Sequence, residues 1–271
     1  MNEYKAVNKN LVTFILLSIF ASALIGWVFW IGGKVNLLLI IIIFFDIAFF
    51  LGALYEYNKI KKQRISNLRG FAKVRNYKFF ENPTNDQIAE FREFKAMSKM
   101  LMPKSSHGFL NLFIPKEVDT KQPWITTVST TVSSGEYASN YFTQVYKFSL
   151  DNEIPVFVLS GGYNFSFLNI FRAKNVYHGI QDLEEIDIEK FNFPRNKYKL
   201  YSSDENIKDF FTKEFIDLLN SGLQKKKATI YMESNGKNIV FFNRFKRHSL
   251  TGISFYINLF SVLIESLKLT K

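Results

Sequence analysis

The stretch NLLLIIIIFFDIAFFLGALYEYNKIKKQR, residues 36–64, decides the architecture of this chain. Its first part, residues 37–54, is eighteen residues long and contains one ionisable side chain, Asp46. A transmembrane helix needs about 17–25 mainly apolar residues, so this segment is long enough to cross a bilayer. The residues that follow turn abruptly basic. The sequence therefore predicts a membrane-spanning helix followed by a cationic segment.

A second apolar segment precedes the first. Residues 11–30, LVTFILLSIFASALIGWVFW, form a run of twenty residues without a charge. Trp27 and Trp30 lie at its far end, where aromatic side chains are enriched at a membrane interface. The segment is longer than the apolar part of a cleavable signal peptide, which has about 7–15 residues. Because only the short link IGGKVN joins the two segments, they predict a transmembrane helical hairpin.

Asp46 needs a polar partner in this setting. On an insertion scale a central Asp costs roughly 3 kcal/mol, which the apolar residues of the segment offset. Counted from the link, Asp46 lies about as deep as Ser22, and Ser18 lies one turn further along the first helix. Three roles stay open: a hydrogen bond to Ser22 or Ser18 within one hairpin, a contact between protomers of a homo-oligomer, or a proton or ion path.

Basic side chains dominate residues 56–78, where eight cations and one acid give a net charge of +7. The link between the apolar segments carries only Lys34. By the positive-inside rule, this asymmetry predicts a multi-pass protein of the inner cell membrane with both termini in the cytoplasm. Cations beside a membrane span are attracted to anionic headgroups. The residues expected to face anionic lipid are Lys59, Lys61, Lys62, Arg64 and Arg69.

Composition narrows the chemistry further. The length of 271 residues accommodates a membrane anchor and one or two domains. The absence of cysteine excludes disulfides, thiolate metal sites and a cysteine nucleophile. The net charge of the whole chain is +11, but most of this excess lies beside the membrane segments, so no nucleic-acid partner is expected.

The rest of the chain predicts a juxtamembrane helix or stalk at residues 56–78 and a cytoplasmic α+β domain at residues 79–271. Runs of β-branched and aromatic residues bounded by Pro, Gly, Asn and Asp predict a mixed, mainly antiparallel sheet. These runs are GFLNLFI (108–114), PWITTVSTTV (123–132), NYFTQVYKFSL (140–150), IPVFVLS (154–160) and NKYKLYS (196–202). Asn235-Gly236 predicts a hairpin with a type I′ turn between two further strands.

Helices are predicted on both sides of these strands. One is capped by Thr84 and continues through apolar positions to about Met100. Another, in residues 203–222, restarts at Thr212 and stops at Gly222, and residues 165–173 predict a short helix. In residues 252–268 polar side chains recur at steps of four and three, which is typical of an amphipathic helix that covers a sheet.

The C-terminal third contains a recognisable pattern of aromatic residues before a helix. Its positions are Phe191, Phe193, Tyr198, Asp204, Phe211, Thr212, Phe215 and Leu219. This pattern resembles a family of bacterial two-helix membrane proteins of unknown function, most strongly over residues 187–243. The resemblance implies two N-terminal membrane helices and a cytoplasmic α/β domain. It implies no established activity and no catalytic residues.

The sequence contains no recognisable catalytic signature. His107, His178 and His248 are widely separated and form no metal-ligand spacing. A phosphate-binding glycine loop and a nucleophile elbow are both missing. The acidic run at residues 182–189 lacks the spacing of a calcium loop and is interpreted as a solvated edge. No catalytic, cofactor-binding or metal-binding residue is therefore predicted, and the sequence does not favour an enzyme.

Three functions remain open. The favoured one is a membrane-tethered cytoplasmic interaction or sensing module with an unidentified protein partner. The second is a membrane-tethered enzyme whose site uses scattered polar residues, and the third is a ligand-gated membrane effector. A polar pocket with perturbed carboxylates would favour an enzyme, whereas an exposed apolar patch would favour an interaction module.

Overall fold

A computed structural model of the protein describes residues 2–32, 37–101, 108–117, 122–134, 137–161, 183–188, 198–204, 207–226, 230–243 and 247–267. The chain divides into two units, Met1–Gly70 and Phe71–Lys271. The short helix predicted at residues 165–173 lies outside the described residues.

In its described residues, the first unit contains two helices, α1 (Asn2–Gly32) and most of α2 (Leu37–Val74). Asp46 of α2 contacts Ser18 and Ser22 of α1. Further along α2, a Cβ added at Gly52 would lie 3.1 Å from the ring of Phe14. Residues with higher numbers in α2 therefore contact residues with lower numbers in α1, so the two helices are antiparallel.

α2 runs without a break from the apolar segment into the basic segment. Lys, Arg and Gln are good helix formers, so the change in polarity does not end the helix. It ends at Val74, and Asn76 then adopts a φ of 60°, a left-handed conformation that Asn tolerates. Tyr77 and Lys78 lie in a strand. The predicted stalk of residues 56–78 is therefore helical only as far as Val74.

The second unit contains a nine-stranded sheet among the described residues. The strands are β1 (Tyr77–Phe80), β2 (Gly108–Pro115), β3 (Trp124–Ser134), β4 (Tyr137–Ser149), β5 (Phe157–Gly161), β6 (Glu184–Ile186), β7 (Tyr198–Ser202), β8 (Tyr231–Ser234) and β9 (Asn238–Asn243). Their order is β1-β2-β3-β4-β9-β8-β5-β7-β6, and every neighbouring pair is antiparallel. This confirms the predicted α+β class with an antiparallel sheet. The acidic run predicted to be a solvated edge contributes β6, which is an edge strand.

Five helices flank the sheet in the described part of this unit: α3 (Asn85–Arg92), α4 (Lys95–Leu101), α5 (Ile207–Phe210), α6 (Lys213–Lys226) and α7 (Leu250–Glu265). Thr212 begins α6 as predicted, because its Oγ1 accepts the N–H of Phe215 at 3.1 Å. Gly222 does not end α6, which continues to Lys226. A helical Gly costs about 1 kcal/mol, and burial of Phe215 and Leu219 on the same helix offsets this cost.

The sheet lies between two helical layers. Val145 and Tyr146 are consecutive in β4 and therefore point to opposite faces. Val145 belongs to the apolar cluster formed with α3 and α4, which includes Phe91 and Met97. Tyr146 packs on the other face, where its ring centroid lies 5.1 Å from that of Phe260 in α7. The amphipathic closing helix predicted near the C-terminus is confirmed by α7.

The predicted hairpin joins β8 to β9, but its turn differs from the predicted type. The N–H of Asn235 donates to the carbonyl of Asn238 at 3.1 Å, so Gly236 and Lys237 are the central residues. Gly236 has a φ of 98°, whereas Lys237 has a negative φ. Glycine at the first central position is the arrangement of a type II′ turn. The type I′ prediction, which centred the turn on Asn235 and Gly236, is wrong.

Candidate functional site

A polar contact joins the two helices of the first unit. Ser18 Oγ donates to Asp46 Oδ1 at 2.7 Å, and Ser22 Oγ donates to Oδ2 at 3.0 Å. The two serines lie one helical turn apart, so a single carboxylate reaches both. The structure thus brings together the three polar residues predicted in the apolar segments. Both carboxylate oxygens are engaged within one hairpin.

Large apolar side chains on these helices point outward. Phe44 is 69% exposed, and Phe50 and Leu51 are each 57% exposed. Among the described residues, one helix is long and apolar enough to cross a membrane, at Ile40–Val74. The segment Val12–Trp27 of α1 is apolar but shorter. An amphipathic helix of a soluble domain turns such side chains towards the core, whereas none of the apolar side chains at residues 40–54 of α2 is buried.

The basic residues predicted to face lipid follow on the same helix. Lys59, Lys61, Lys62 and Arg69 are exposed, and Arg64 is half-buried. Lys59 Nζ lies 3.6 Å from Glu56 Oε1, which is an ordinary i,i+3 surface pair. These side chains therefore form a cationic surface on α2 that begins shortly after the apolar segment ends.

A buried cation lies under α3 in the second unit. The Lys147 side chain is 1% exposed and forms an ion pair with Glu90 of α3, which is 47% exposed. Its Nζ also lies 4.3 Å from the centre of the Trp124 ring. A buried ammonium group needs such partners, because an unpaired charge in a protein interior is very costly. Lys147 therefore joins α3 to the sheet.

A buried carboxylate caps α4. Glu233 of β8 accepts hydrogen bonds from the backbone N–H groups of Ala96 at 2.9 Å and Met97 at 2.7 Å. Desolvation by burial raises the pKa of Glu233 to about 7, although the backbone N–H groups act in the opposite direction. In a continuous helix these two N–H groups would bond to carbonyls four residues earlier. Their capture by Glu233 explains why the single helix predicted from Thr84 to Met100 is two helices.

A third polar cluster lies on the opposite face of the sheet. Tyr146 Oη and His248 Nδ1 are 2.7 Å apart, and Asn243 Nδ2 lies 3.4 Å from His248 Nε2. The His248 ring stacks on Tyr256 at a centroid distance of 4.1 Å. Desolvation by burial raises the pKa of both tyrosines. This cluster fixes the start of α7 against the sheet.

These three buried groups were missed by the sequence prediction. Glu233 and Lys147 each follow apolar residues in a strand, where a charged side chain is normally interpreted as facing solvent. Their partners lie 136 and 57 residues away in the sequence, and no local sequence pattern indicates partners so far apart. His107 and His178 lie outside the described residues. In the described part of the chain, no group of three His, Cys, Asp or Glu side chains is placed to hold a metal ion.

The described part of the chain is thus an α+β protein in which one helix is long and apolar enough to cross a membrane. No protein-family model matches the chain, and no curated protein matches it. The solved structure of the mycobacterial trehalose monomycolate transport factor A, TtfA, aligns with 75% of this chain and 96% of that chain. The TM-score is 0.45 and the sequence identity is 9%.

Proposed function

We propose that the protein is anchored in the cytoplasmic membrane by α1 and α2 and holds its α+β domain at the membrane as an interaction or sensing module. The observation that carries the anchor is the outward-facing apolar surface of α2, where Phe44, Phe50 and Leu51 are all more than half exposed. Contiguous apolar surface of this kind is rare on soluble proteins and favours contact with lipid.

The polar contact at Asp46 supports insertion of both helices. Hydrogen-bonding groups within a bilayer need protein partners, because lipid tails offer none. Ser18 and Ser22 supply these partners from α1, so α1 and α2 insert together. The exposed Lys59, Lys61 and Lys62 then meet anionic headgroups on the cytoplasmic side, which agrees with the charge asymmetry of the sequence.

The chemistry of the domain favours an interaction module over an enzyme. The carboxylate of Glu233 bonds to backbone N–H groups, Lys147 pairs with Glu90, and His248 bonds to Tyr146. Each of these buried groups is engaged by a neighbouring element. Among the described residues, the groups most suited to acid–base chemistry thus have structural partners, which leaves binding as the activity that the domain supports best.

Alkaline carbonate extraction of membranes that contain the full chain tests the anchor. We expect the protein to stay in the membrane pellet. The double substitution Phe44→Arg with Phe50→Arg should release it, because each central Arg costs about 3 kcal/mol on the insertion scale. The matched control is Asn58→Arg with Asn67→Arg, at exposed positions beyond the apolar segment. This control should not release the protein from the membrane. Recovery of the unmodified protein in the soluble fraction would overturn the proposal.

A further inference from the structure

One side of α2 faces α1 from the apolar segment into the basic segment. Asp46 accepts hydrogen bonds from α1, and a Cβ added at Gly52 would lie 3.1 Å from the ring of Phe14. The half-buried residues of α2 include both positions and recur mainly at steps of three or four, the spacing of one helix face. Between residues 40 and 62 they are 42, 46, 49, 52, 53, 56 and 60, and all other residues in this range are exposed.

Two exposed tyrosines follow the apolar segment on either side of this face. Tyr55 is 67% exposed and Tyr57 is 57% exposed. At about 100° per residue, the two side chains are separated by about 160° around the helix axis. Counted from Leu54, they lie about 2 and 5 Å along the axis, whereas the headgroup region of a bilayer is about 5–8 Å thick on each side. If α2 spans the membrane as proposed, both tyrosines therefore lie among the headgroups, on nearly opposite sides of the helix.

Each tyrosine is followed by a lysine one helical turn further from the hydrocarbon. Lys59 comes four residues after Tyr55, and Lys61 comes four residues after Tyr57. Side chains at this spacing are neighbours on the helix surface, and both lysines are exposed. Lys62, also exposed, lies within an arc of about 60° that contains Tyr55 and Lys59. The two sides of α2 thus each carry a tyrosine with at least one cation beside it.

The two residue types in each pair suit two different parts of a phospholipid. A tyrosine combines an apolar ring with a hydroxyl group that can donate to an ester carbonyl, and tyrosines are enriched at membrane interfaces. A lysine ammonium group is attracted to phosphate, and its flexible stem lets the charge reach back along an apolar surface. In both pairs the tyrosine is nearer the hydrocarbon than the lysine. The ester groups and the phosphate of a phospholipid occur in the same order.

Glu56 is the acid nearest to these pairs in the sequence. Its Oε1 lies 3.6 Å from Lys59 Nζ, but the Lys59 side chain is 55% exposed, and exposed ion pairs are weak. Lys59 therefore keeps donors for a phosphate, and Lys62 adds a second cation on that side. The positions three and four residues from Lys61 contain no acid. Both pairs thus retain the positive charge that a phosphate requires.

We propose that Tyr55 with Lys59 and Tyr57 with Lys61 form two separate binding sites for anionic phospholipid molecules. This inference rests on the proposed membrane anchor and deepens it, because it replaces a general attraction of cations to the membrane with two sites for individual lipids. In each site the lysine binds the phosphate and the tyrosine contacts the ester region. The sites select anionic lipid, since a zwitterionic headgroup carries a cation of its own that the lysine repels.

The test is native mass spectrometry of the full chain in a neutral detergent, titrated with phosphatidylglycerol or phosphatidylcholine. We expect two tightly bound phosphatidylglycerol molecules per chain and weaker binding of phosphatidylcholine. Lys61→Gln should weaken one of the two by about fivefold, and Lys59→Gln with Lys62→Gln should weaken the other by about tenfold or more. Tyr55→Ala and Tyr57→Ala should each weaken one lipid by about threefold without a change in charge. Lys61→Arg keeps the charge and should retain both lipids.

Two controls separate these sites from a general effect of charge or position. Lys95→Gln with Lys99→Gln removes two exposed cations from α4, and Asn58→Ala alters an exposed position between the two pairs. Both should leave two lipids bound with affinities within about twofold of the unmodified protein. Equal losses in a control would overturn the proposal.

Three further results would overturn it: binding of phosphatidylcholine as tight as that of phosphatidylglycerol, unchanged binding in all the lysine and tyrosine variants, or displacement of the lipid by an equal concentration of inorganic phosphate. The last result would identify a site for a free anion and not for a lipid. Carbonate extraction tests the anchor separately. A chain that stays in the membrane pellet but binds no lipid selectively would refute only the two sites, and a chain in the soluble fraction would refute the anchor.

Discussion

Glu233 accepts a 2.7 Å hydrogen bond from the backbone N–H of Met97, across 136 residues of sequence. A second bond from Ala96 completes a carboxylate cap on α4. The cap fixes the end of the β8–β9 hairpin against the junction between α3 and α4. Asn235 Nδ2 strengthens the same junction by donating to Glu93 Oε2 at 3.2 Å. One buried carboxylate thus holds together elements that are far apart in the sequence.

This arrangement predicts that the stability of the domain falls as the pH rises through 7. The pKa of Glu233 is raised from 4.5 to about 7 in the folded protein, so folding favours the protonated form. The resulting stabilisation is fully present below about pH 4.5 and is lost as the pH passes the folded pKa. The loss is on the order of 3 kcal/mol. Unfolding of the full chain in detergent, followed by tryptophan fluorescence between pH 4 and 8, measures it.

Glu233→Gln serves as the control for this pH dependence. The amide keeps one oxygen as an acceptor for α4 but does not titrate. The difference between the unmodified protein and the variant therefore isolates Glu233 from the other ionisable groups. Parallel stability curves for the two proteins across this pH range would contradict the prediction.

The turn between β8 and β9 predicts a large effect of a single side chain. Gly236→Val should destabilise the domain by roughly 1–3 kcal/mol, because a β-branched residue is strained at positive φ. Crowding contributes little, since the closest atom to an added Cβ is the Ile154 carbonyl oxygen at 3.9 Å. Lys237→Val, at the second central position with negative φ, is the matched control and should be nearly neutral. Thermal unfolding compares them, and similar losses for the two variants would contradict the assigned turn.

The buried ion pair under α3 predicts that substitutions of Lys147 and of Glu90 lower the stability of the domain by different amounts. Lys147→Met replaces a buried cation with an apolar side chain of similar length and should cost less than about 1.5 kcal/mol. Glu90→Gln leaves the Lys147 ammonium group buried without its counter-charge and should cost about 1–3 kcal/mol. Urea unfolding of both variants measures the two losses of stability and shows which is larger. A larger cost for Lys147→Met would show that the cation itself, through its contact with Trp124, stabilises the domain.

The sequence predicted those features that depend on local composition or regular spacing. Runs of β-branched and aromatic residues, such as those of β4, identify strands, and equal rise along two helices places Asp46 at the level of Ser22. It did not predict Lys147 or Glu233 as buried residues, because their burial depends on partners brought together only by the fold. The end of α2 at Val74 was missed for a similar reason. Tyr77 continues the helical apolar pattern, but its antiparallel pairing with Pro115 places it in β1.

Topology gives a fourth prediction: both termini of the chain should lie in the cytoplasm. The net charge of +7 in residues 56–78, against Lys34 alone in the link, is the physical basis. Tags at each end of the full chain, tested by protease protection in spheroplasts and in inverted vesicles, measure it. Accessibility of either tag from the outer side would contradict the charge argument while leaving membrane insertion itself intact.

The fifth prediction concerns Asp46, whose oxygens both accept bonds from α1. Because an amide oxygen still reaches Ser18 or Ser22, Asp46→Asn should be nearly neutral for insertion and for oligomeric size. Asp46→Leu should insert more favourably, by the roughly 3 kcal/mol that a central carboxylate costs. Membrane yield after carbonate extraction and light scattering of the detergent-solubilised protein measure the two properties. Asn58→Leu, at an exposed position beyond the apolar segment, is the control.

The same pair of variants separates the structural role from the other two roles. If Asp46 held protomers together, Asp46→Leu would shift the protein to a smaller species, most clearly at low concentration, because interhelical polar contacts contribute only about 0.6–2 kcal/mol each. If it carried protons or ions, Asn would abolish function as fully as Leu without a change in size. The bonds to Ser18 and Ser22 favour unchanged size in both variants. A smaller Leu variant would instead make the apolar helices, and not the α+β domain, the place where the protein assembles.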